Sequence, residues 1–288
     1  MALADFGVKD KPQWCLGCGD FGILMGIKSS INELQLNPKD VVLVSDIGCQ
    51  GKIPHYINTY GYEGLHGRAL PLGSGIKIAN RKLTVLVMAG DGGGYGEGVQ
   101  HFVHICRRNY DLTYIVHNNE IYGLTTGQAS PTTKKDLKTK TSPFGNHEVP
   151  FNPMASAIVQ GATFVARTWA GDMKHMKEII MKAIKHKGFA LVDVFQPCVT
   201  FNKNNSYEWY QQRVYDLQQA GYNQNDKLKA LEKAYEEQAT NFEKVPIGIF
   251  YEEQRQTFEE TLPQIEKEEL VDQSLDNIDV SELCKDLM

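Results

Sequence analysis

Five short runs rich in β-branched residues constrain the fold more than any other feature of this chain. They are VVLVSDIG (41–48), LTVLVMAGD (83–91), LTYIVHNN (112–119), ATFVART (162–168) and GFALVDVFQP (188–197). Most are apolar on both faces, as strands of a sheet covered on both sides must be. Between them lie helical patterns at Phe21 to Leu34, Leu70 to Ala79, Gly98 to Arg108, Pro153 to Gln160 and Asp172 to His186. In the last of these, Met173, Met176, Ile180 and Ile184 form an apolar stripe, which assigns both methionines to the core. Asp172 is placed to cap its start and Gly188 its end. Strand alternating with helix predicts a doubly wound, mostly parallel α/β sheet.

That pattern spans roughly residues 20 to 200, so 1–200 is expected to form one α/β domain with an N-terminal Cys-x-x-Cys segment. Beyond Thr200 the stretches SYEWYQQRVYDLQQAG and DKLKALEKAYEEQ read as surface helices, with a core too thin to stand alone. Residues 201–288 are therefore expected to be a helical extension with an acidic tail that contacts a partner. From Tyr251 onward there are twelve acidic and three basic residues, within a chain of net charge −5. The remainder is mildly basic, with no basic stripe interleaved with aromatics, which argues against nucleic acid. The N-terminus has no signal-peptide pattern, and no apolar run approaches the roughly 20 residues that span a bilayer. A cytoplasmic, reducing setting without membrane attachment is expected. There the six cysteines point to metal or catalytic use more than to disulfides.

In open α/β sheets ligands bind beyond the carboxyl ends of strands, at a switch in strand order. Cys49 follows the first run, Asp91 the second, Asn118 and Asn119 the third, and Cys198 the fifth. In AGDGGGYGEG, glycines after a strand let the backbone approach a phosphate, and the next helix start offers free N–H groups. Asp91, flanked by Gly90 and Gly92, would repel that phosphate unless a cation lay between them. It thus implies Mg²⁺ or Ca²⁺, with Asn119 as a second oxygen ligand. Cys15, Cys18, Cys49 and Cys198 supply four thiolates, which suit zinc or a [4Fe–4S] cluster. Cys106, in a helical stretch, and Cys284, in the tail, read as unrelated.

The Asp91–Asn119 pair resembles the diphosphate motif of thiamine diphosphate enzymes. By that resemblance Asp91, the Asn119 side chain and the Ile121 carbonyl hold Mg²⁺, and Leu124 is the apolar wedge that bends the cofactor. Together with WCLGCGDFGI, SDIGCQGKIPH, LHGRALPLGSGIK, HNNEIYGLTTGQASPT, KAIKHKGFALVDVFQPC and EWYQQR, the chain resembles the beta subunit of 2-oxoacid:ferredoxin oxidoreductases over its first 210 residues. The resemblance implies a thiamine diphosphate-binding fold and a [4Fe–4S] cluster on Cys15, Cys18, Cys49 and Cys198. The implied reaction is CoA-dependent oxidative decarboxylation of a 2-oxoacid, with 2-oxoglutarate favoured and electrons passing to ferredoxin.

In that setting Ile47 and Gly48 belong to the cofactor-facing loop, His66 is placed to bond the diphosphate, and Lys52 to pair with a substrate carboxylate or a coenzyme A phosphate. Where relatives can carry a lysine in the YGLT-x-GQ loop, this chain has Thr126. The activating glutamate is expected on a partner alpha subunit, so the chain alone is expected to be inactive and to work in an alpha–beta complex or a dimer of such complexes. The alternatives are a non-oxidative thiamine diphosphate decarboxylase or synthase with structural zinc, and a catalytically silent scaffold subunit.

Overall fold

The computed structural model describes residues 6–276 and 278–285. Its elements are α1 (Gly19–Glu33), β1 (Val41–Ser45), β2 (Tyr60–Glu63), α2 (Ala69–Ala79), β3 (Thr84–Gly90), α3 (Val99–Arg108), β4 (Thr113–Asn118), α4 (Pro153–Val159), β5 (Phe164–Trp169), α5 (Met173–Lys185), β6 (Ala190–Phe195), α6 (Tyr207–Gln211), β7 (Val214–Asp216), α7 (Lys227–Ala239), β8 (Val245–Glu252) and α8 (Ser281–Lys285). They form one eight-stranded sheet in the order β2-β1-β3-β4-β6-β5-β8-β7, parallel except where β8 runs against β5.

Alternation along each strand divides the core into two layers. Val42, Val44, Val85, Val87, Tyr114 and Val116 face α2, α3, α4 and α7, where Leu70, Phe102, Met154 and Ala234 meet them. Leu43, Leu86, Met88 and Ile115 face α1 and α5, against Ile23, Ile27, Met176 and Ile180. Asp172 accepts from the His175 N–H to cap α5, as its position suggested. The helix ends at His186, and Gly188 lies two residues further on with φ +120°. Met173 is 39% exposed, so only Met176 of the two stripe methionines is core.

The segment beyond residue 200 differs from the helical extension expected of it. It contributes β7 and β8, and β8 pairs directly with β5, so this segment completes the sheet. The beginning of the acidic tail also lies on the chain's own body. Arg255 donates to the Gly161 carbonyl at 2.7 Å, and Phe258 meets Tyr110 at 4.7 Å between ring centroids. Glu259 accepts from the Asp111 N–H, and Glu269 accepts from the Arg81 backbone and guanidinium. These contacts fall at the amino ends of β3 and β4, opposite the strand ends that carry the chemistry. They tie residues 255–269 to the chain's own body.

A buried ionic network ties α7 to the sheet. Arg167 on β5 donates to Asp193 at 2.9 Å and to Glu237 at 2.5 Å. Asp193 also accepts from Tyr95 and Asn118. Two carboxylates removed from water need the guanidinium between them, so this network specifies how α7 docks.

Candidate active site

The strands β1, β3, β4 and β6 are neighbours in the sheet and all parallel. After β1 the chain adds β2 on one side and β3 on the other, so the switch in strand order lies between β1 and β3. Over these carboxyl ends lies a cavity of about 410 Å³. Its wall includes Ile47, Gly48, Cys49, His66, Gly90, Asp91, Gly92, Asn119, Ile121 and Leu124, all singled out from sequence.

Asp91 follows β3 directly and is buried. Its Oδ2 accepts from Ser130 Oγ at 2.5 Å and from Thr132 Oγ1 at 2.6 Å. Burial still pushes its carboxyl up to about 6, because two neutral hydroxyls do not replace water around a charge. A cation would. Asn118 and Asn119 point to different groups: Asn118 Nδ2 donates to Asp193 in the core, while Asn119 lines the cavity. Asn119 Oδ1 accepts from the Ile121 N–H at 3.1 Å, a turn made possible by Glu120 at φ +58°.

Glycines shape the floor. A β-carbon at Gly93 would sit 1.9 Å from Asp46 Oδ2, and one at Gly92 2.1 Å from the Tyr122 ring. These residues belong to a π-helical turn, Gly92–Glu97, an irregularity often found at functional sites. Backbone approach, a buried carboxylate and an amide oxygen on one wall fit a divalent cation carrying a diphosphate.

Cys49 and Cys198 meet at the cavity's edge. Trp14 Nε1 donates to the Cys49 carbonyl at 2.7 Å, which holds the Cys-x-x-Cys segment against the loop after β1. The Cys49 and Cys198 sulfurs each lie 3.7 Å from where a β-carbon of Gly123 would be, and Asn119 Nδ2 lies 3.8 Å from the same point. Burial pushes the Cys49 thiol up to about 12, with negative charge on Asp20, Cys198 and Cys15 acting in the same direction. Cys18 is raised further, by burial and by Asp20. Among the described residues, no three His, Cys, Asp or Glu side chains converge on a single ion. The four thiols are of the donor type that zinc or an iron–sulfur cluster takes. Cys106 lies in the core on α3, and Cys284 is exposed in the tail, both apart from this set.

Leu124, His66 and Lys52 take different places around the cavity. Leu124 is 47% exposed and faces the cavity, so it is not core. His66 lines the cavity, but its Nδ1 lies 3.0 Å from the Ile47 carbonyl and its Nε2 3.0 Å from Glu97. It is held as part of the wall. Lys52 is outside the lining; its charge acts on Cys49, whose thiol it lowers slightly. The sequence reading missed Ser130, Thr132, Glu97, Tyr122 and Gln196. It also missed Lys140, whose Nζ lies 2.9 Å from Thr126 Oγ1 and so brings a cation to a loop that lacks one.

Residues 46–194 match the family described as thiamine pyrophosphate enzyme, C-terminal TPP binding domain. Residues 198–267 match the family described as the C-terminal part of the pyruvate ferredoxin oxidoreductase beta subunit, a range that includes β7 and β8. A 2-oxoacid:ferredoxin oxidoreductase subunit beta from Saccharolobus solfataricus is 53% identical over 251 residues, covering 83% of this chain and 81% of that one. The chain belongs to the beta subunits of the 2-oxoacid:ferredoxin oxidoreductases. A second such beta subunit, from Aeropyrum pernix, is 44% identical over 91% of this chain and 85% of its own. The solved 2-oxoglutarate:ferredoxin oxidoreductase from Magnetococcus marinus, with 2-oxoglutarate, coenzyme A and succinyl-CoA bound, superposes with a TM-score of 0.90 at 33% identity, covering 100% of this chain and 96% of that one. Among the described residues of this beta subunit, no helix is long and apolar enough to cross a membrane.

Proposed function

We propose that this beta subunit holds thiamine diphosphate, Mg²⁺ and a [4Fe–4S] cluster side by side, and that with an alpha subunit it oxidatively decarboxylates a 2-oxoacid onto coenzyme A and reduces ferredoxin. The observation that carries this reading is the meeting of both donor sets beside Gly123. The Cys49 and Cys198 sulfurs and the Asn119 amide all lie within 3.8 Å of the point where a β-carbon of that glycine would stand. A cluster and a thiamine cofactor held on those groups would be neighbours, as direct electron transfer requires.

Bound thiamine diphosphate supplies the electron sink that lets CO₂ leave a 2-oxoacid. The chain's own residues bind and orient. Asp91, Asn119 and the Ile121 carbonyl would hold the Mg²⁺, and the backbone at Gly92 and Gly93 lines the cavity that would take the diphosphate. The half-exposed Leu124 offers the cofactor an apolar surface. Cys15, Cys18, Cys49 and Cys198 hold the cluster. The substrate assignment favours 2-oxoglutarate, supported by the bound ligands of the Magnetococcus marinus enzyme and by the Lys140 ammonium beside the Thr126 loop.

Anaerobic purification of the alpha–beta complex tests the reading. The expected preparation is brown, contains iron and sulfide, binds thiamine diphosphate only with Mg²⁺, and reduces ferredoxin with a 2-oxoacid and coenzyme A. A colourless, zinc-loaded protein would favour the non-oxidative alternative, and a protein with no thiamine affinity would favour a silent scaffold. Comparing acyl-CoA yields from 2-oxoglutarate, pyruvate and branched 2-oxoacids decides the substrate.

A further inference from the structure

Gln196 belongs to none of the ligand sets above, yet its side chain touches both. It follows β6 directly, is buried, and its backbone N–H donates to the Asn118 carbonyl at 2.8 Å. Its Nε2 donates to Cys18 Sγ at 3.2 Å, and its Oε1 accepts from Asn119 Nδ2 at 3.1 Å. Room is made for it by Gly19, where a β-carbon would stand 2.7 Å from Gln196 Cγ.

The orientation of this bridge is fixed by a backbone group. The Ile121 N–H can only donate, so the Asn119 atom facing it must be the oxygen. Asn119 Nδ2 then points to Gln196, whose facing atom must be Oε1, and Nε2 is left for the Cys18 sulfur. Donors therefore run one way, from the Ile121 peptide through Asn119 and Gln196 to Cys18.

We propose that Gln196 is a positioning residue with two effects: it raises the reduction potential of the cluster through Cys18, and it holds Asn119 in the rotamer that presents its oxygen to Mg²⁺. This rests on the proposed placement of the cluster and of thiamine diphosphate. An N–H donor on a cluster sulfur stabilises the added negative charge of the reduced state more than the oxidised state. Without the acceptor at Oε1, the Asn119 amide keeps the Ile121 N–H on its oxygen but loses its second anchor, so its oxygen is held less firmly towards the Mg²⁺.

The test uses the alpha–beta complex with Gln196→Met and Gln196→Glu. Met matches the length of Gln but neither donates nor accepts as an amide does. Glu keeps the acceptor towards Asn119. Spectroelectrochemical titration of Q196M is expected to show a lower cluster potential, corresponding to about a tenfold change in the reduction equilibrium, about 59 mV for one electron. Its thiamine diphosphate Kd in Mg²⁺ should rise roughly five- to tenfold, the effect of one lost hydrogen bond. Q196E should restore that Kd to within about twofold of the parent. A Q196M potential equal to the parent's overturns the first effect, and equal Kd values in Q196M and Q196E overturn the second. The Kd comparison needs no iron, so it stands even if Q196M assembles no cluster. A parent complex that lacks iron would instead overturn the cluster assignment, and with it the proposed effect on potential.

Discussion

Asp91→Asn should make the cofactor-free chain more stable while abolishing its response to Mg²⁺ and thiamine diphosphate. Asp91 is buried, with only the hydroxyls of Ser130 and Thr132 as its side-chain donors, and burial carries its carboxyl from an ordinary 3.8 to about 6. At 1.36 kcal/mol per pKa unit, ionising it costs the empty fold about 3 kcal/mol. The folded state binds this proton more tightly than the unfolded chain does. Its stabilising contribution is therefore complete below about pH 4 and lost as pH rises through 6. An asparagine carries no such cost but keeps a carbonyl for one hydroxyl, so D91N should exceed the parent by about 1–3 kcal/mol at pH 8. The advantage should vanish near pH 4. Urea unfolding in chelator, followed by tryptophan fluorescence between pH 4 and 8, measures this directly. Adding Mg²⁺ and thiamine diphosphate at about 100 times Kd should then stabilise the parent by about 2.7 kcal/mol and leave D91N unmoved. The reasoning fails if D91N is less stable than the parent at pH 8 without cofactor, or gains as much from it.

Three further outcomes follow from particular contacts. Arg167→Leu leaves Asp193 and Glu237 buried without their cation and should cost about 3–5 kcal/mol. Burial already holds the Glu237 carboxyl above its ordinary range, so the deficit should shrink from pH 8 to pH 5 as the folded state takes up protons; a pH-independent deficit would count against the network. Gly123→Ala should unfold at nearly the parent's urea midpoint, because its β-carbon meets neighbours only at 3.7 Å, yet lose roughly tenfold in iron occupancy or thiamine affinity. Unchanged loading would refute the shared meeting point. Lys140→Met should raise KM for 2-oxoglutarate roughly tenfold relative to pyruvate with kcat little changed, and an unaltered ratio would remove Lys140 from substrate recognition.

The inner strands were legible in the sequence because β1, β3, β4, β5 and β6 are covered on both faces and so carry continuous apolar runs. The strand β2 was not, because YGYE is an exposed edge whose side chains look like loop. β8 reads VPIGIFYE, and its proline and glycine mask a strand that only its pairing with β5 reveals. Met173 failed for a related reason, since helical spacing identifies a stripe but not its exposed margin.

Asp91 and Asn119 stood out because they are polar residues beside strand ends. Gln196 occupies the same kind of position, but its significance lies in two partners 178 and 77 residues away. The internal docking of the tail depends on contacts of the same kind, such as Arg81 with Glu269 across 188 residues. Local patterning carries no trace of such pairs. Gly123 matters for a side chain it lacks, which only the assembled surroundings disclose.

The central claim is that electrons leave the 2-oxoacid through a cluster beside the thiamine site. It is tested most directly by low-temperature EPR of the anaerobic alpha–beta complex, mixed with 2-oxoglutarate, Mg²⁺ and thiamine diphosphate. The account predicts a reduced [4Fe–4S] signal that appears with substrate and is absent in Cys49→Ser and D91N complexes. An iron-free sample, or an iron-loaded one whose spectrum substrate leaves unchanged, would contradict it.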